Sequence, residues 1–593
     1  MKYISLCTTL FLSVGFSVLA TELSSSLRLP TANGPYSGTD ALGRKLPLPG
    51  DQSIPSVLRQ DRFVGLFYFL WLAQHGKNGP YDVTQIVAEH PEAMNDADHS
   101  AWGPLHAFHH WGESLFGYYT SEDVWVMRKH VQLLTDAGVD FLVLDATNAF
   151  HYPVPSLTLL KILDEYQKKG WNVPKIVYYT NSASGVTAEK IYKEIYSKTE
   201  YENLWFYWED RPLLIAQPEE CGEEIKQFFR IKKSQWPNEG KYHDDGFPWI
   251  AFERPQHVFK NEKGENEVVN VSVAQHAGTI RFSSSAFYGK TNWTRSWHNG
   301  QNDSAKDSFL YGYNIAEQFD FALKQDPKII FITGWNEWIA MRFKDMAPNE
   351  PVGFVDLCDA NNSRDIEPMK DGYGDNYYMQ MIGNIRRYKG TAPLQKTGTV
   401  RKTILIPHAF TQWDDVQPVY WDYTNDIVHR DAAGYGDLIY KNTTGLNDFE
   451  RMKTAFDENN VYFYVQTVRP LQQVNSENRM TLYLRLPHNT ANSTWNGYHA
   501  VLNRTGGDTE HIVLEQCVGG WNWEKSGKVS YRMEGNQMHI AVPRAWLGLK
   551  DKPVALEFKW SDTATMDGGI TPFYNDGDAA PIGRVNYVFD GSP

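Results

Sequence analysis

The stretch "KIIFITGWNEW", residues 328–338, begins as a buried strand and ends in a polar and aromatic motif. Residues 328–333 are apolar and rich in β-branched side chains, which favours a β-strand. Gly334 ends the run, and the motif WNEW at 335–338 follows it. A carboxyl group directly after a buried strand is unusual for a core position. Glu337 therefore raises the question of which fold presents an acid at a strand end.

The sequence around this stretch alternates short apolar runs with amphipathic ones. The strand-like runs are 63–69, 139–144, 175–179, 213–216, 247–252, 268–274, 329–333 and 352–357. The helical patterns are 122–137, 156–169, 188–198, 223–232, 308–323 and 376–388. Strands that alternate with helices indicate parallel βαβ units, and eight of them predict an α/β fold of the (β/α)8 TIM-barrel type. A doubly wound sheet is the alternative, but no Gly-x-Gly-x-x-Gly follows the first strand.

Beyond residue 405 the pattern changes to alternating apolar and polar residues separated by Asn, Gly and Asp. The clearest of these strands are 461–468, 480–486, 497–503, 511–517, 538–543 and 554–560. Such a pattern is typical of an antiparallel β-sandwich. We therefore predict a signal peptide at 1–20, an N-terminal segment at 21–60, a catalytic barrel at 61–392, a linker at 393–404 and a carbohydrate-binding-module-like β-sandwich at 405–593.

Composition and the N-terminus restrict the possible partners. The net charge is −14, and no block dense in Lys or Arg occurs, which argues against nucleic acid. Lys2, an apolar stretch and a small-residue site at 18–20 indicate an export signal, with a membrane anchor as the alternative. We expect a periplasmic or secreted protein with no membrane span after signal removal. The sequence does not predict the oligomeric state.

Carboxyl groups after the predicted strands are the candidates for catalysis. In α/β barrels, functional residues gather at the carboxyl ends of the strands. Cleavage of a glycosidic bond normally uses two carboxyl groups. Glu337 and Asp145, which ends "FLVLDATN", form the leading pair, and Glu253 and Glu219 are fallback partners. Burial between Trp335 and Trp338 is expected to raise the pKa of Glu337, as suits a proton donor; a structural ion pair of Glu337, with an arginine such as Arg342, is the alternative.

Polar and aromatic residues near the predicted strand ends are candidates for sugar binding, because aromatic rings stack on apolar sugar faces. They are Tyr68, Trp71, Trp102, His109, His110, Trp111, Tyr179, Asn181, Gln275, His276, Arg295, Trp297, His298, Trp335, Asn336 and Trp338.

Metal sites have weak signals in this sequence. The loop at 101–113 concentrates His106, His109 and His110, but their spacing matches no zinc motif, so a sugar-lining loop is favoured over zinc. The cysteines that remain after signal removal, at 221, 358 and 517, are too widely spaced for a metal site or a disulfide framework. We expect no cofactor, with a structural calcium near the Asp-rich loops of the sandwich as a weak expectation.

Three motifs carry a family resemblance. The WNEW motif, "FLVLDATN" (141–148) and "DNYYMQMIGNIRRYKG" (375–390) resemble GH99-like and GH71-like glycoside hydrolases over roughly residues 60–390. The resemblance implies a (β/α)8 barrel and retaining cleavage of α-linked, often mannose-containing glycans, with Glu337 as a catalytic acid. The group places a second acid three residues after that Glu, whereas this sequence has Ala340 there. The linkage and the sugar are therefore not carried over.

The C-terminal region is similar to family 9 carbohydrate-binding modules and DOMON-like sandwiches. The residues that carry this similarity are "FDENNVYFYVQT" (456–467), "FKWSDT" (558–563) and "YNDGDAAPIGRVNYVF" (574–589). Trp495, Trp521 and Trp523 are candidates for a ring platform; alternatively, the sandwich only braces the barrel.

The sequence thus predicts an exported glycoside hydrolase that acts on a complex polysaccharide, oligosaccharide or glycan. A non-catalytic carbohydrate-binding protein is the first alternative, because Ala340 replaces the second acid of the family pattern. A polysaccharide lyase is the second alternative, and the absence of a Gly-x-Ser-x-Gly motif argues against an esterase.

Overall fold

The computed structural model describes residues 34–277, 280, 282–395, 397, 401–472, 480–489 and 493–591. The predicted signal peptide lies outside the described residues, as does part of the predicted linker. In the portion that is described, no helix is both long enough and apolar enough to span a bilayer.

The first half of the chain forms a nearly closed barrel of parallel strands. Over the described residues, eight strands belong to it: β1 (Phe63–Tyr68), β2 (Phe141–Ala146), β3 (Lys175–Thr180), β4 (Arg211–Ala216), β5 (Arg230–Gln235), β6 (Gly246–Pro248), β7 (Asn266–Ser272) and β8 (Ile329–Thr333). They pair in the order β6-β5-β4-β3-β2-β1-β8-β7. Chain order therefore equals barrel order, as expected for successive βαβ units.

The barrel has one seam, between β6 and β7. Among the described residues no backbone ladder joins these two strands. Side chains bridge them instead: the Ala251 N–H donates to Asn270 Oδ1 (2.9 Å), and Gln275 Nε2 donates to the Ala251 carbonyl (2.9 Å). Across the barrel, Thr333 Oγ1 donates to the Trp249 carbonyl (2.9 Å). The seam is thus held by polar contacts close to the carboxyl ends of the strands.

Helices cover the outside of the barrel. Those that follow a barrel strand are α1 (Val124–Ala137), α2 (Pro153–Lys168), α3 (Ser184–Ile191), α4 (Glu223–Phe228), α5 (Tyr313–Gln325) and α6 (Asn376–Lys389). The segments 236–245 and 249–265, after β5 and β6, are fully described and contain no helix. A barrel with an outer helical layer is confirmed, but the complete eightfold repeat is not present.

Two sequence predictions were wrong, and together they change the numbering of the barrel strands while their number stays eight. Residues 230–232, predicted as the end of a helix, begin β5; the predicted strand at 352–357 forms Glu350–Phe354, outside the barrel. β5 was missed because its sequence, RIKKSQ, is basic. Lys232 is fully buried in it, where its Nζ contacts Asp245 Oδ1 and Glu267 Oε2, each at 2.5 Å. Glu337 consequently follows the eighth strand and not the seventh.

Shorter elements decorate the barrel. They are the helix Val83–Glu89 and the strands Phe108–His110, Tyr207–Trp208, Val258–Lys260, Trp297–His298, Gln301–Asn302, Ile339–Ala347 and Glu350–Phe354. Ile339–Ala347 directly follows the WNEW motif and pairs antiparallel with both Phe108–His110 and Glu350–Phe354.

The C-terminal half forms the predicted antiparallel sandwich. Its strands, in the order in which they pair, are Val419–Trp421, Phe449–Phe456, Asn460–Thr467, Gln537–Pro543, Asn522–Glu534, His511–Gly519, Ala500–Leu502, Thr481–Arg485, Ala555–Asp562 and Asp578–Ala580. Tyr587–Asp590 pairs with Ala555–Asp562 as well, and a separate hairpin joins Arg430–Ala433 to Ile439–Asn442.

The sandwich contacts the barrel directly. Asp123 begins helix α1, where its Oδ1 accepts from the N–H groups of the first turn, and its Oδ2 accepts from Arg430 Nε (2.8 Å). Trp171 stacks on Tyr423 with ring centroids 3.7 Å apart. Because Asp123 and Arg430 are both buried, these contacts form a permanent part of the fold.

Candidate active site

The WNEW motif is fixed by a second segment, 364–367, which runs beside it. The Gly334 N–H donates to the Arg364 carbonyl (3.0 Å), and the Glu337 N–H donates to Asp365 Oδ1 (2.7 Å). The N–H of Ile366 donates to the Trp335 carbonyl (3.2 Å). These contacts place the Arg364 side chain next to the Glu337 carboxyl group.

The two indoles of the motif face away from the barrel mouth, which corrects their predicted role as a sugar platform. Trp335 and Trp338 are 0% and 1% exposed. Trp335 lies against the ring of His130 in helix α1. Trp338 stacks on Trp111 at 4.3 Å, and its Nε1 donates to Glu367 Oε2 (2.6 Å). Both rings anchor the strand end and have no surface left for a ligand.

Glu337 contacts an arginine that it shares with a second acid. Its Oε2 lies 3.2 Å from Arg364 Nε and 3.1 Å from Nη2, and Arg364 Nη2 lies 3.0 Å from Asp356 Oδ1. The guanidinium sits over the Trp249 ring at 4.6 Å. The partner is therefore Arg364 and not Arg342, whose guanidinium donates to the Ala97 and Gly103 carbonyls.

The electrostatics of this group favour a protonated Glu337. Burial raises the pKa of Glu337 well above its usual value; the charge of Arg364 opposes this shift, and the charges of Asp356, Asp365 and Asp145 add to it. Arg364 carries one positive charge and contacts two acids, Glu337 and Asp356. It therefore balances the negative charge of only one of them, which favours the protonated form of the other. Glu337 is thus suited to donate a proton.

Asp145 lies at the top of the inward-facing column of β2. It is 6% exposed, and its Oδ1 accepts from the Thr147 N–H (3.1 Å). Burial raises the pKa of Asp145 to about 6. The charge of Asp145 contributes to the raised pKa of Glu337, so the structure brings the predicted pair into one electrostatic group. Burial thus raises the pKa of both acids, as is common for carboxyl groups at catalytic sites.

An aromatic patch borders this group on the side of β1 and β2. The rings of Trp71 and Phe108 lie 5.4 Å apart, and His75 contacts Phe108 and Phe150. His75 Nε2 lies 2.9 Å from the Tyr152 hydroxyl, whose pKa is raised by burial and by the charge of Asp145. Phe150 is 45% exposed. We name Trp71, His75, Phe108 and Phe150 the aromatic rim.

His276 and Trp249 complete the lining near Arg364. Burial and the Arg364 charge lower the pKa of His276 to about 4, so this ring is neutral at pH 7. It stacks on Phe252 with centroids 4.6 Å apart. Within the described residues the Nε1 atoms of Trp71 and Trp249 are buried without a hydrogen-bond partner. A buried donor without a hydrogen-bond partner is rare in folded proteins.

Several predicted sugar-binding residues lie behind the site. Tyr68 contacts His130 Nδ1 through its hydroxyl (2.9 Å), and Trp111 Nε1 donates to the Glu337 carbonyl (2.9 Å). Asn336 makes two hydrogen bonds to the backbone of Phe69. Its Oδ1 accepts from the Phe69 N–H (2.9 Å), and its Nδ2 donates to the Phe69 carbonyl (3.1 Å). These hydrogen bonds hold the WNEW motif in position.

The predicted histidine loop is also internal. His109 is buried with Nε2 2.9 Å from the Trp102 carbonyl, and Trp102 Nε1 donates to the Ala93 carbonyl (2.9 Å). His110 lies between the rings of Tyr118 and Tyr435. These contacts bury His109, His110 and Trp102 among other side chains, and their role in lining a sugar site stays a prediction.

Four other predicted residues serve as supports in or near the barrel. Tyr179 donates to the Phe247 carbonyl (2.9 Å), and Asn181 Oδ1 accepts from Ser234 Oγ (2.9 Å). Gln275 bridges the seam. Arg295 is fully buried and donates to the Asp365 carbonyl (2.7 Å), so it positions the segment that carries Arg364.

The remaining predicted residues lie outside the group around Glu337. The ring of His298 packs on Tyr313, and Trp297 lies near Arg254. Glu219 pairs with Lys233 (2.6 Å) and its side chain is 60% exposed. The side chain of Glu253 is 37% exposed, and its Oε1 lies 4.0 Å from His257. Both fallback acids are thus more exposed than Glu337 or Asp145.

Sequence reasoning missed Arg364, Asp356 and Asp365. All three lie in "VDLCDANNSRD" (355–365), an acidic, polar run that follows an apolar strand. That run is the same kind of signal that identified Asp145. The sequence pattern does not show that this run returns beside the WNEW motif, because that contact is made by tertiary structure.

Comparison with known proteins gives a fold-level likeness. No family model and no curated protein matches the chain. Two solved structures of the GH99 endo-alpha-mannosidase from Bacteroides thetaiotaomicron, one in complex with bis-tris-propane, are each 16% identical over 56% of this chain and 98% of theirs, with TM-scores of 0.32 and 0.34. A glycoside hydrolase-like protein is 11% identical over 57% of this chain and 97% of its own, with a TM-score of 0.25.

The first two neighbours are described as GH99 enzymes, the group that the sequence motifs resemble. At such TM-scores the similarity carries no weight for substrate or mechanism, and the function proposed below rests on the geometry around Glu337.

Proposed function

We propose that the chain is an exported glycoside hydrolase that cleaves glycosidic bonds in a complex polysaccharide or glycan at the mouth of an incomplete (β/α)8 barrel. The observation that carries this proposal is the buried pair Glu337 and Asp145 beyond the carboxyl ends of two barrel strands, where burial raises the pKa of both acids and the charge of Asp145 acts on Glu337. Cleavage of a glycosidic bond normally uses such a pair.

Glu337 acts as the general acid in this proposal. Its raised pKa keeps a proton available for the leaving oxygen. Asp145, ionised above a pH of about 6, attacks the anomeric carbon or activates a water. Arg364 and Asp356 hold Glu337 in place and tune its charge. Ala340, which replaces the second acid of the resembled family, lies in the strand that pairs with His109 and carries no part of the reaction.

The aromatic rim supplies the sugar subsite. Its rings present apolar faces beside Asp145, and the free indole donors of Trp71 and Trp249 are suited to sugar hydroxyls. This arrangement takes the place of the WNEW indoles that the sequence suggested.

One observation favours a second candidate, a non-catalytic carbohydrate-binding protein. Glu337 is buried against Arg364, as in a structural ion pair. In that case the rim binds a sugar that is never cleaved.

A screen of polysaccharides with matched variants distinguishes the candidates. The wild-type protein is tested on plant, algal and fungal polysaccharides for release of reducing ends. On the best substrate, Glu337→Gln is expected to lower kcat by about 10³-fold or more while sugar binding is kept. The exposed Glu262→Gln is the control, with unchanged activity.

Two results would reject the assignment. Sugar binding without turnover by the wild-type protein would favour the non-catalytic candidate. Products with the ultraviolet absorbance of unsaturated uronates would indicate a lyase.

A further inference from the structure

A buried cluster of three aspartates lies where the sandwich meets helix α1 of the barrel. Asp426, Asp448 and Asp578 each present a carboxylate oxygen, and these three oxygens lie within 4.8 Å of one another. The residues are 4%, 8% and 1% exposed. Ionised carboxylates this close repel each other strongly in a poorly solvated position, so they either take up protons or hold a cation between them. We name these three residues the aspartate cluster.

The carboxylate oxygens of the aspartate cluster differ in whether they accept a hydrogen bond. The Asn425 N–H donates to Asp448 Oδ2 (2.8 Å), and the Phe449 N–H donates to Asp578 Oδ2 (2.7 Å). In the part of the chain that the structure describes, the Oδ1 atoms of Asp426, Asp448 and Asp578 are buried and have no hydrogen-bond partner. Buried polar atoms without a partner are rare, and one explanation is an ion absent from the coordinates.

The barrel contributes to the same place. Gln132 Nε2 donates to Asp426 Oδ2 (2.8 Å), and Gln132 Oε1 is another buried oxygen without a partner among the described residues. Lys129 Nζ lies 3.5 Å from Asp426 Oδ2 and is the one ion pair that the described residues form with the cluster. The charges of Lys559, Lys169 and Arg469 act on Asp578 and Asp448 from farther away. The three Oδ1 atoms therefore have no cation in contact with them within the described part of the chain.

We propose that the aspartate cluster binds a divalent cation, Ca²⁺, which joins the sandwich to the barrel. The donors are carboxylate and amide oxygens, the ligands of a hard cation, and no thiol or imidazole belongs to the cluster. Ca²⁺ accepts six to eight oxygens in flexible geometry, whereas Mg²⁺ retains several waters and needs a stricter octahedron. The crowded, dehydrated position therefore favours Ca²⁺. This site is independent of the catalytic proposal.

The test uses the full-length protein after dialysis against a chelator. Titration with CaCl2 is expected to show about one bound ion, and the Tm to rise by about 5 °C or more, because the ion binds only the folded state. MgCl2 at the same concentration is expected to give a clearly smaller rise.

Two variants identify the ligands. Asp448→Asn and Asp578→Asn are expected to lose the calcium response, yet in chelator to be no less stable than the wild type, because each removes a repelling charge. The exposed Asp437→Asn is the control and keeps the full response.

Either of two results overturns the proposal: no stoichiometric binding by the wild-type protein, or a full calcium response in both variants. Should the variants fail to fold, crystals soaked in Tb³⁺ decide instead. The ion must then lie between the three carboxylates; a position elsewhere, or no bound ion, rejects the site.

Discussion

Two buried glutamates, Glu337 in the WNEW motif and Glu367 in the segment beside it, differ in the hydrogen bonds that their carboxyl oxygens accept. Glu367 accepts from Ser114 Oγ (2.5 Å), from the Tyr119 hydroxyl (2.7 Å) and from Trp338 Nε1 (2.6 Å). Among the described residues, the side-chain partner of Glu337 Oε2 is the guanidinium of Arg364, which also contacts Asp356.

The comparison separates structural from chemical burial. Glu367 has donors on both of its oxygens, and these hydrogen bonds hold its neighbours together. Glu337 shares its one counter-ion with another acid and has three further acids nearby, and together with burial this raises its pKa well above the usual value. Burial alone therefore does not identify a reactive acid; the number of donors around it does.

The largest expected effect is the loss of Glu367. Glu367→Gln leaves at least one of its donors facing an amide N–H, so the free energy of unfolding is expected to fall by about 3–5 kcal/mol. Glu337→Gln is expected to change it by about 1 kcal/mol or less, since glutamine resembles the protonated acid. Urea denaturation of both variants at pH 7 measures the contrast. Equal losses in the two variants would contradict the distinction drawn between them.

The next effect concerns pH. The pKa of Asp145 is raised from 3.8 to about 6 by burial, so the folded state binds this proton more tightly than the unfolded chain. That contribution to stability is present at low pH and is lost as the pH rises from about 4 to about 6. Its size is about 3 kcal/mol for a shift of roughly two units.

Asp145→Asn removes this titration while the amide oxygen can still accept from the Thr147 N–H. Between pH 4 and pH 7 the free energy of unfolding of the variant is expected to fall by about 3 kcal/mol less than that of the wild type. Denaturation at a series of pH values compares the two curves, and parallel curves would show that Asp145 is not perturbed. Turnover by the wild type is expected to fall as the pH drops below about 6, because the base is then protonated.

The smallest effect tests the aromatic rim. Phe150→Ala removes an exposed ring that the sequence did not select, and is expected to raise KM by about tenfold or less with kcat nearly unchanged. The exposed Tyr311→Ala, at a distance in sequence and structure from the rim, is the control. A fall in kcat alone would place Phe150 in the chemistry and not in binding.

The sequence predicted the parts of the fold that obey simple periodicity. The apolar strands β1–β4 and β6–β8 and six strands of the sandwich were found because burial selects their residue types, whereas Phe449–Phe456 and Asn522–Glu534 were not predicted. The strand β5 was missed because its core residue is Lys232, whose burial depends on Asp245 and Glu267 from distant turns and strands. Such pairing is tertiary information that a local pattern does not contain.

The two candidate acids could be proposed from the sequence, whereas the residues that surround them could not. Glu337 and Asp145 follow apolar runs, a signal visible in one dimension. The direction of Trp335 and Trp338 depends on the segment 364–367 beside them, which no spacing rule revealed. For the same reason Arg364 was identified only from the three-dimensional structure.

Asp123 has a consequence for anyone who wishes to exchange modules of this protein. Its Oδ1 accepts a hydrogen bond from the first turn of helix α1, and its Oδ2 accepts one from Arg430 of the sandwich. A foreign C-terminal module would leave that carboxylate without its partner, and a separately expressed sandwich would expose Arg430 and Tyr423. The barrel and the sandwich should therefore be kept together in an engineered protein unless the interface between them is redesigned.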